Sequence, residues 1–374
     1  MILRMARALH NKGHEPIFVR FNDKPIELLD EIARYAKIIP FAALLAHDSD
    51  QKIGRIDAIY CYTEDTLVRV LHHNKRIACP KILFGVFHTR QYQVRTRFGP
   101  SYLSKLYRWL FLAFPQRNII FMSDGVRAEC ERHYGLKMTG ANVLPLPVDV
   151  PPILKKTGKA NRYKIVSIAR LVEFKNYHQP IFEFIAKQRA AGLPFEYHIY
   201  GDGPLRSQLG EQARRVGVEP YIFFHGTLPY PKMGLALEDA GIFIGMGTAI
   251  IEAAACGIPA VAAIEMRGAE CHGWFHETVG NSVGEQISDA PKCAIGELLT
   301  AYLSWSEQDY FEAGLCSWRR ARDYSTDMAV DRFVDMASGA ASVAAIRIDD
   351  WKWARFWAAK VYARYFTQSG WKHK

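Results

Sequence analysis

Residues 241–263 constrain the fold more than any other stretch. Gly241-Ile242-Phe243-Ile244 is a short apolar run, and Gly245-Met246-Gly247 is a glycine-flanked turn. Thr248-Ala249-Ile250-Ile251-Glu252-Ala253-Ala254-Ala255-Cys256 is an alanine-rich helical stretch, closed by Gly257-Ile258-Pro259. Ala260-Val261-Ala262-Ala263 then reads as a second strand. Strand, tight turn, helix and strand in that order form one unit of an α/β sheet. The two glycines let backbone approach a ligand closely, and the new helix points N–H groups at it. Glu252 stands among alanines on the first turns of that helix. A carboxylate there can accept two hydrogen bonds from a vicinal diol such as a ribose. The competing reading is a buried junction with Glu252 as a mere cap, and a Gly-x-Gly turn alone does not decide between them.

Earlier segments add the rest of a pattern. Lys164-Ile165-Val166-Ser167-Ile168-Ala169 reads as a strand, and Arg170-Leu171-Val172-Glu173-Phe174-Lys175 as the loop leaving it. Two cations at the carboxyl end of a parallel strand suit a diphosphate, although either alone would read as a solvated surface group. Glu196–Tyr200 reads as a strand ending in Gly201-Asp202-Gly203-Pro204, followed by a helix with Leu205, Leu209, Ala213 and Val216 on one face. Tyr221-Ile222-Phe223-Phe224 is a further strand, running through His225 into Gly226.

The ordered set from Ser167 to Val261 resembles the donor domain of family 4 glycosyltransferases. It comprises Arg170-Leu171-x-x-x-Lys175, Gly201-Asp202-Gly203-Pro204-Leu205, Phe224-His225-Gly226, and Gly245-x-Gly247 with Glu252-Ala253-x-Ala255-Cys256-Gly257-x-Pro259. Asn118–Val126 and Val143–Asp149 resemble further segments of the family. The resemblance implies the GT-B fold, two Rossmann-like domains facing across a cleft. Residues 1–150 would form the acceptor side and 151–335 would hold a nucleoside-diphosphate sugar. Residues 336–374 would form a terminal helix and basic aromatic tail. In this reading Arg170, Lys175 and the Gly245-Met246-Gly247-Thr248 turn stabilise the departing diphosphate. Glu252 fixes the ribose, and Gly203 and Gly226 line the donor site. His88 ends the apolar run Ile82–Phe87 and, by the same resemblance, contacts donor sugar or acceptor. A satisfied structural histidine is the alternative for His88. The resemblance implies retention of anomeric configuration. The donor half holds no Asp-x-Asp triplet, so a diphosphate-bound metal is not expected there. No cofactor is expected beyond the donor substrate itself.

Two departures stand out. The family carries a first glutamate eight positions before the second, and here that position is Ile244. Met1–His10 reads as the family's first helix, with Leu3, Ala6 and Leu9 on one side, and Gly13–Val19 as a turn and second strand. The first strand of the N-terminal domain is therefore expected to be absent, leaving that domain the less stable half.

Seven cysteines are scattered with no Cys-x-x-Cys pair, which suits reduced thiols rather than a disulfide framework or zinc site. Arg4 and Arg7 interrupt the only apolar start, against a signal peptide, and no run approaches the ~18 apolar residues of a membrane span. Residues 1–150 hold 22 Lys+Arg against 14 Asp+Glu, residues 151–344 hold 19 against 22, and residues 345–374 hold 7 against 2. Basicity is thus confined to the acceptor half and tail. No nucleic-acid signature accompanies it. The cations interleave with aromatics in Ser101–Phe114, preceded by Arg95 and Arg97, and in Trp351–Trp371. On a helical wheel Ala354, Trp357, Ala358, Val361 and Tyr365 share a face, with Lys352, Arg355, Lys360 and Arg364 beyond it. Such segments suit an anionic membrane surface, the alternative being that each helix packs on its own domain. His72 and His73 read as surface residues.

The expectation is a cytoplasmic glycosyltransferase, peripheral on the inner face of the cell membrane. It would serve a glycan or lipid-linked acceptor in bacterial-type envelope or exopolysaccharide assembly. A sugar-nucleotide epimerase on the same fold and a non-catalytic binding or scaffold protein remain as rivals.

Overall fold

The computed structural model describes residues 1–26, 28–46, 51, 53–77, 79–92, 102–154, 160–287 and 290–366. Arg95, Arg97, Ser101 and the tail beyond 366 lie outside them, as do the side chains of residues 363–366, Arg364 and Tyr365 included. Two compact units are formed. One comprises Met1–Pro145 with Asp327–Lys374, and the other Leu146–Thr326.

The first unit opens with α1 (Ile2–Asn11), then β1 (Ile17–Arg20) and β2 (Lys37–Pro40). It continues with β3 (Ile59–Cys61), α2 (Glu64–His72), β4 (Ile82–Val86), α3 (Tyr102–Ala113), β5 (Ile119–Phe121) and β6 (Asn142–Val143). β1 and β2 pair in parallel as one sheet; β3-β4-β5-β6 form a second, also parallel. Helix α1 packs on both. Met5 and Ala8 join Leu83, Ile120 and Leu144 in one core, while Ala6 joins Ile32 and Ala36, with Phe18 against them. α2 also reaches both, because the Arg69 guanidinium lies 5.7 Å over the Phe21 ring just after β1. Two helices therefore hold together two sheets that share no hydrogen-bonded strand pair among the described residues.

An interrupted sheet leaves outer-edge N–H and C=O groups without ladder partners. Amides of Ile17–Arg20 and Ile59–Cys61 are therefore expected to exchange with deuterium faster than those of Ile82–Val86, which pair on both sides. Equal protection of all three strands in native-state exchange would show that the sheet is continuous.

A final helix of this unit, Asp350–Phe366, packs on α2 and α3. It corrects the surface reading of the histidine pair. His72 Nδ1 lies 3.0 Å from the Ile348 carbonyl oxygen, and its ring stacks on Trp353 at 4.5 Å.

The second unit runs β7 (Asn161–Ile168), α4 (His178–Ala190), β8 (Glu196–Tyr200), α5 (Arg206–Arg215), β9 (Ile222–Gly226), β10 (Ala240–Gly245) and α6 (Thr248–Ala255). β11 (Ala260–Ala263), β12 (Glu270–Trp274) and β13 (Cys293–Ala294) complete one sheet of order β13-β12-β11-β10-β7-β8-β9. β7 to β11 are parallel, and the two outer strands antiparallel. The interior strands are apolar on both faces because helices cover both, as a parallel sheet requires. α5 buries Leu209 and Ala213, but Val216 follows the last helical residue and stays exposed. The chain works outward from β7 to β9, then returns to lay β10 on the other side of β7. This reversal is the switch point where ligands bind outside the carboxyl ends of strands in open α/β sheets.

Candidate functional site

Two loops leave the sheet at that switch point. The first follows β10. Met246 is buried, Gly247 adopts φ +71°, and Thr248 is exposed as the first residue of α6. No side chain caps this helix start, so its first-turn N–H groups keep their capacity to bind an anion. The turn is held from behind: Gly247 N donates to the Val283 carbonyl at 2.6 Å. A Cβ on Gly284 would stand 2.5 Å from that of Met246, so only glycine allows this approach. Glu252, half-buried one turn into α6, accepts from the Tyr230 hydroxyl at 3.4 Å. Tyr230 lies in the loop after β9, and the sequence reading did not single it out.

The second loop follows β7 and carries the cations. It is laced to the Gly201-Asp202-Gly203 turn after β8. Leu171 N donates to Asp202 O at 2.9 Å, and Leu205 N donates to Leu171 O at 3.1 Å. Gly203 is there to permit this, since a Cβ would lie 2.4 Å from the Leu171 carbonyl oxygen. Gly226, at the end of β9 with φ +70°, accepts from Gly201 N at 2.6 Å. Arg170 is exposed and Lys175 half-buried. Burial, and then the charge of Arg170, push the Lys175 ammonium down to about 8. Desolvation disfavours the charged form until an anion arrives to pair with it.

A buried hydroxyl relay joins the strands beneath the two loops. The β7–β10 ladder ends at Val166 and Phe243, and the strands then part. Across the parting, Ser167 Oγ donates to Ile244 O at 2.5 Å, and the Tyr197 hydroxyl donates to Ser167 Oγ at 2.7 Å. His178 Nδ1 lies 2.8 Å from the same Tyr197 oxygen. The tyrosine proton is already directed at Ser167, so His178 must donate from Nδ1. Burial, and then the nearby Lys175 charge, hold this histidine neutral, pushed down to about 3. Ile244 itself is fully buried in the core with Ile165, Leu171 and Tyr177. The position at which the family carries a carboxylate is here part of the hydrophobic interior.

His88 belongs to the first unit and follows β4, half-buried, with its Nδ1 accepting from Arg90 N at 3.0 Å. Gln91 fixes this strand end: its Oε1 accepts from Phe87 N at 2.6 Å, and its Nε2 donates to Tyr62 O at 3.2 Å. His225 stacks on Tyr200 at 4.2 Å within the sheet. The chain's one Asp-x-Asp triplet, Asp48-Ser49-Asp50, sits in the first half, outside the described residues.

The second unit thus sets two cations on the loop after β7, and uncapped N–H groups and a carboxylate on the helix after β10. Residues 149–270 match the family model "Glycosyl transferases group 1". The match lies within the second unit. A protein assigned provisionally to colanic acid biosynthesis, glycosyltransferase WcaL of Escherichia coli strain K12, is 29% identical over 148 residues. That match covers 35% of this chain and about a third, 34%, of the relative's own length. A glycosyltransferase of Rickettsia africae superposes with a TM-score of 0.64 at 14% identity, over 90% of this chain and 93% of that one. HepE of Anabaena, solved with UDP and glucose, superposes with a TM-score of 0.60 at 14% identity, over 90% and 95%. The fold is GT-B.

Proposed function

We propose that this chain transfers a sugar from a nucleoside-diphosphate sugar to a glycan or lipid-linked acceptor in envelope or exopolysaccharide assembly. What supports this reading is that the Arg170–Lys175 loop and the Gly245–Thr248 turn follow the paired neighbouring strands β7 and β10, at the switch point of the matched domain. As the glycosidic bond to the donor breaks, negative charge grows on the diphosphate. Lys175, Arg170 and the first-turn N–H groups of α6 stabilise it, so charge neutralisation needs no metal. Glu252, with Tyr230 beside it, accepts from the ribose hydroxyls. His88 contacts donor sugar or acceptor, as the family resemblance implies. Retention of configuration follows from the family resemblance, and with Ile244 buried in the core the sugar must be held by other groups. The protein acts peripherally at the inner face of the cell membrane and does not use nucleic acid.

Calorimetry with nucleoside diphosphates and with pyrophosphate tests this. Glu252→Ala is expected to weaken nucleoside diphosphate binding by about 1.5–3 kcal/mol, the worth of hydrogen bonds to a charged group, and to leave pyrophosphate binding unchanged. Equal loss for both ligands would remove Glu252 from the ribose, and no binding of any nucleoside diphosphate would remove the donor site. The burial of Ile244 also favours a second reading, a nucleotide-sugar binder without catalysis. A panel of nucleotide sugars assayed for hydrolysis separates the two, since only the enzyme releases nucleotide.

A further inference from the structure

The terminal aromatic helix divides its side chains in a way a helical wheel does not show. Its inner face is committed to its own unit. Phe356 is fully buried, Trp353 stacks on His72, and the Arg69 guanidinium lies 5.5 Å over Trp357. Lys360 pairs with Glu64 at 3.0 Å and Asp65 at 2.9 Å at the start of α2. This corrects the wheel reading: Trp357 faces inward and Lys360 is an internal ion-pair partner.

What remains outside is a different stripe. Trp351 is 71% exposed and Val361 56%, with Ala354, Arg355 and Ala358 exposed between them. Their spacing of three and four follows one side of the helix for about 15 Å. Helix α3 lies alongside. The Tyr102 hydroxyl donates to Lys352 O at 3.2 Å, and Arg355 sits 4.3 Å over the Tyr102 ring. On α3 the exposed residues are Lys105, Arg108 and Leu112, again three and four apart. α3 contains no acidic residue. Of the two carboxylates at the start of the last helix, Asp349 pairs with Lys352 at 2.6 Å, while Asp350 is exposed with an oxygen 3.7 Å from His72 Nε2. Two packed helices thus expose aromatic and aliphatic groups interspersed with Lys105, Arg108 and Arg355.

We propose that this stripe, Trp351 to Val361 with Lys105, Arg108 and Leu112 of α3, is the surface by which the chain docks on an anionic lipid bilayer. Tryptophan and aliphatic side chains enter the boundary between headgroups and acyl chains, while the cations meet lipid phosphates. The positive sign of this face is complementary to an anionic leaflet. The proposal rests on the peripheral reading above, and its test does not depend on sugar transfer.

The test is co-sedimentation of the full chain with vesicles of phosphatidylcholine alone and of phosphatidylcholine mixed with phosphatidylglycerol. Binding is expected to the mixed vesicles and to fall as salt rises, because exposed charges are screened beyond about 10 Å at 0.1 M salt. Arg355→Ala should lower the partition coefficient about fivefold, the equivalent of about 1 kcal/mol for one cation near the surface. Trp351→Ala combined with Val361→Asp should lower it about tenfold or more. Leu235→Asp, at a residue 69% exposed in the other unit, should not change it. Nucleoside diphosphate affinity should be the same in all variants, which separates a failed surface from a failed donor site. Equal partitioning of the parent and the Trp351/Val361 variant overturns the proposal. So does a change from dimer to monomer in that variant without loss of lipid binding, which would assign the stripe to a second copy of the chain. Capture by polynucleotide in preference to mixed vesicles would also overturn it.

Discussion

Lys175→Ala protein is expected to transfer sugar about 10²–10³-fold more slowly than the parent, a loss of about 3–4 kcal/mol in the barrier by analogy with removing one oxyanion donor. Besides weakening donor binding, the change should slow turnover at saturating donor, because the ammonium matters most as charge develops on the leaving diphosphate. Single-turnover measurement with saturating donor checks this, and near-normal turnover would remove Lys175 from the chemistry. The same residue sets a pH dependence. Burial, then Arg170, bring it down to about 8, so above that pH the free protein must take up a proton to present a cation. Donor affinity should therefore fall with rising pH, by up to about tenfold per unit above pH 8. Lys175→Ala should abolish this dependence. Folding stability moves the other way. The folded value lies below the ordinary 10.5, so between about 8 and 10.5 the unfolded chain binds the additional proton. This group's contribution to stability then rises with pH across that window, as the cost of holding a desolvated cation disappears.

The second unit was legible because its strands are short apolar runs closed by glycine, and some glycines prove to stand where backbone meets backbone. Gly203 against Leu171 and Gly284 against the Ala263 carbonyl are such contacts, although only the first was singled out from sequence. The relay was not legible. Ser167 and Tyr197 are 30 residues apart, and their hydroxyls meet only because β7 and β8 pair in parallel. His178 offered no sequence signal, since a histidine at a helix start has no periodic neighbour to mark it. Tyr230 lies 22 positions before Glu252 in a loop without pattern, and the return from β9 to β10 alone brings them together. In the first unit the opening helix and the strand after it follow from the sequence of residues 1–19. The packing of the last helix does not follow, because Arg69, His72 and Glu64 on α2 choose its inner face, and a wheel drawn from one helix carries no information about its neighbour.

Gly203→Ala tests whether backbone approach, rather than any side chain, positions the cation loop. Gly192 provides the control: it has φ +82° and open space where a Cβ would go. Gly192→Ala should cost only the left-handed backbone term, about 1–2 kcal/mol. At Gly203 the added carbon would lie 2.4 Å from the Leu171 oxygen and 2.9 Å from its carbonyl carbon and nitrogen. All three are backbone atoms, so no side-chain rotation relieves the clash. The turn or the Arg170–Lys175 loop must retreat by about 1 Å to restore ordinary contact at ~3.5 Å. That movement weakens the Leu171 N to Asp202 O and Leu205 N to Leu171 O bonds, each worth about 1 kcal/mol. With overpacking of about 1–3 kcal/mol added, the expected loss of stability is about 3–5 kcal/mol. A displacement of about 1 Å at a positioned group can also cost about 10²-fold in rate. Nucleoside diphosphate affinity and turnover should therefore fall in Gly203→Ala at temperatures well below its own unfolding, and both should stay near parental in Gly192→Ala. Melting curves and single-turnover rates measured on the two variants decide the matter. If they prove indistinguishable, the Gly201-Asp202-Gly203 turn does not hold the cations in place.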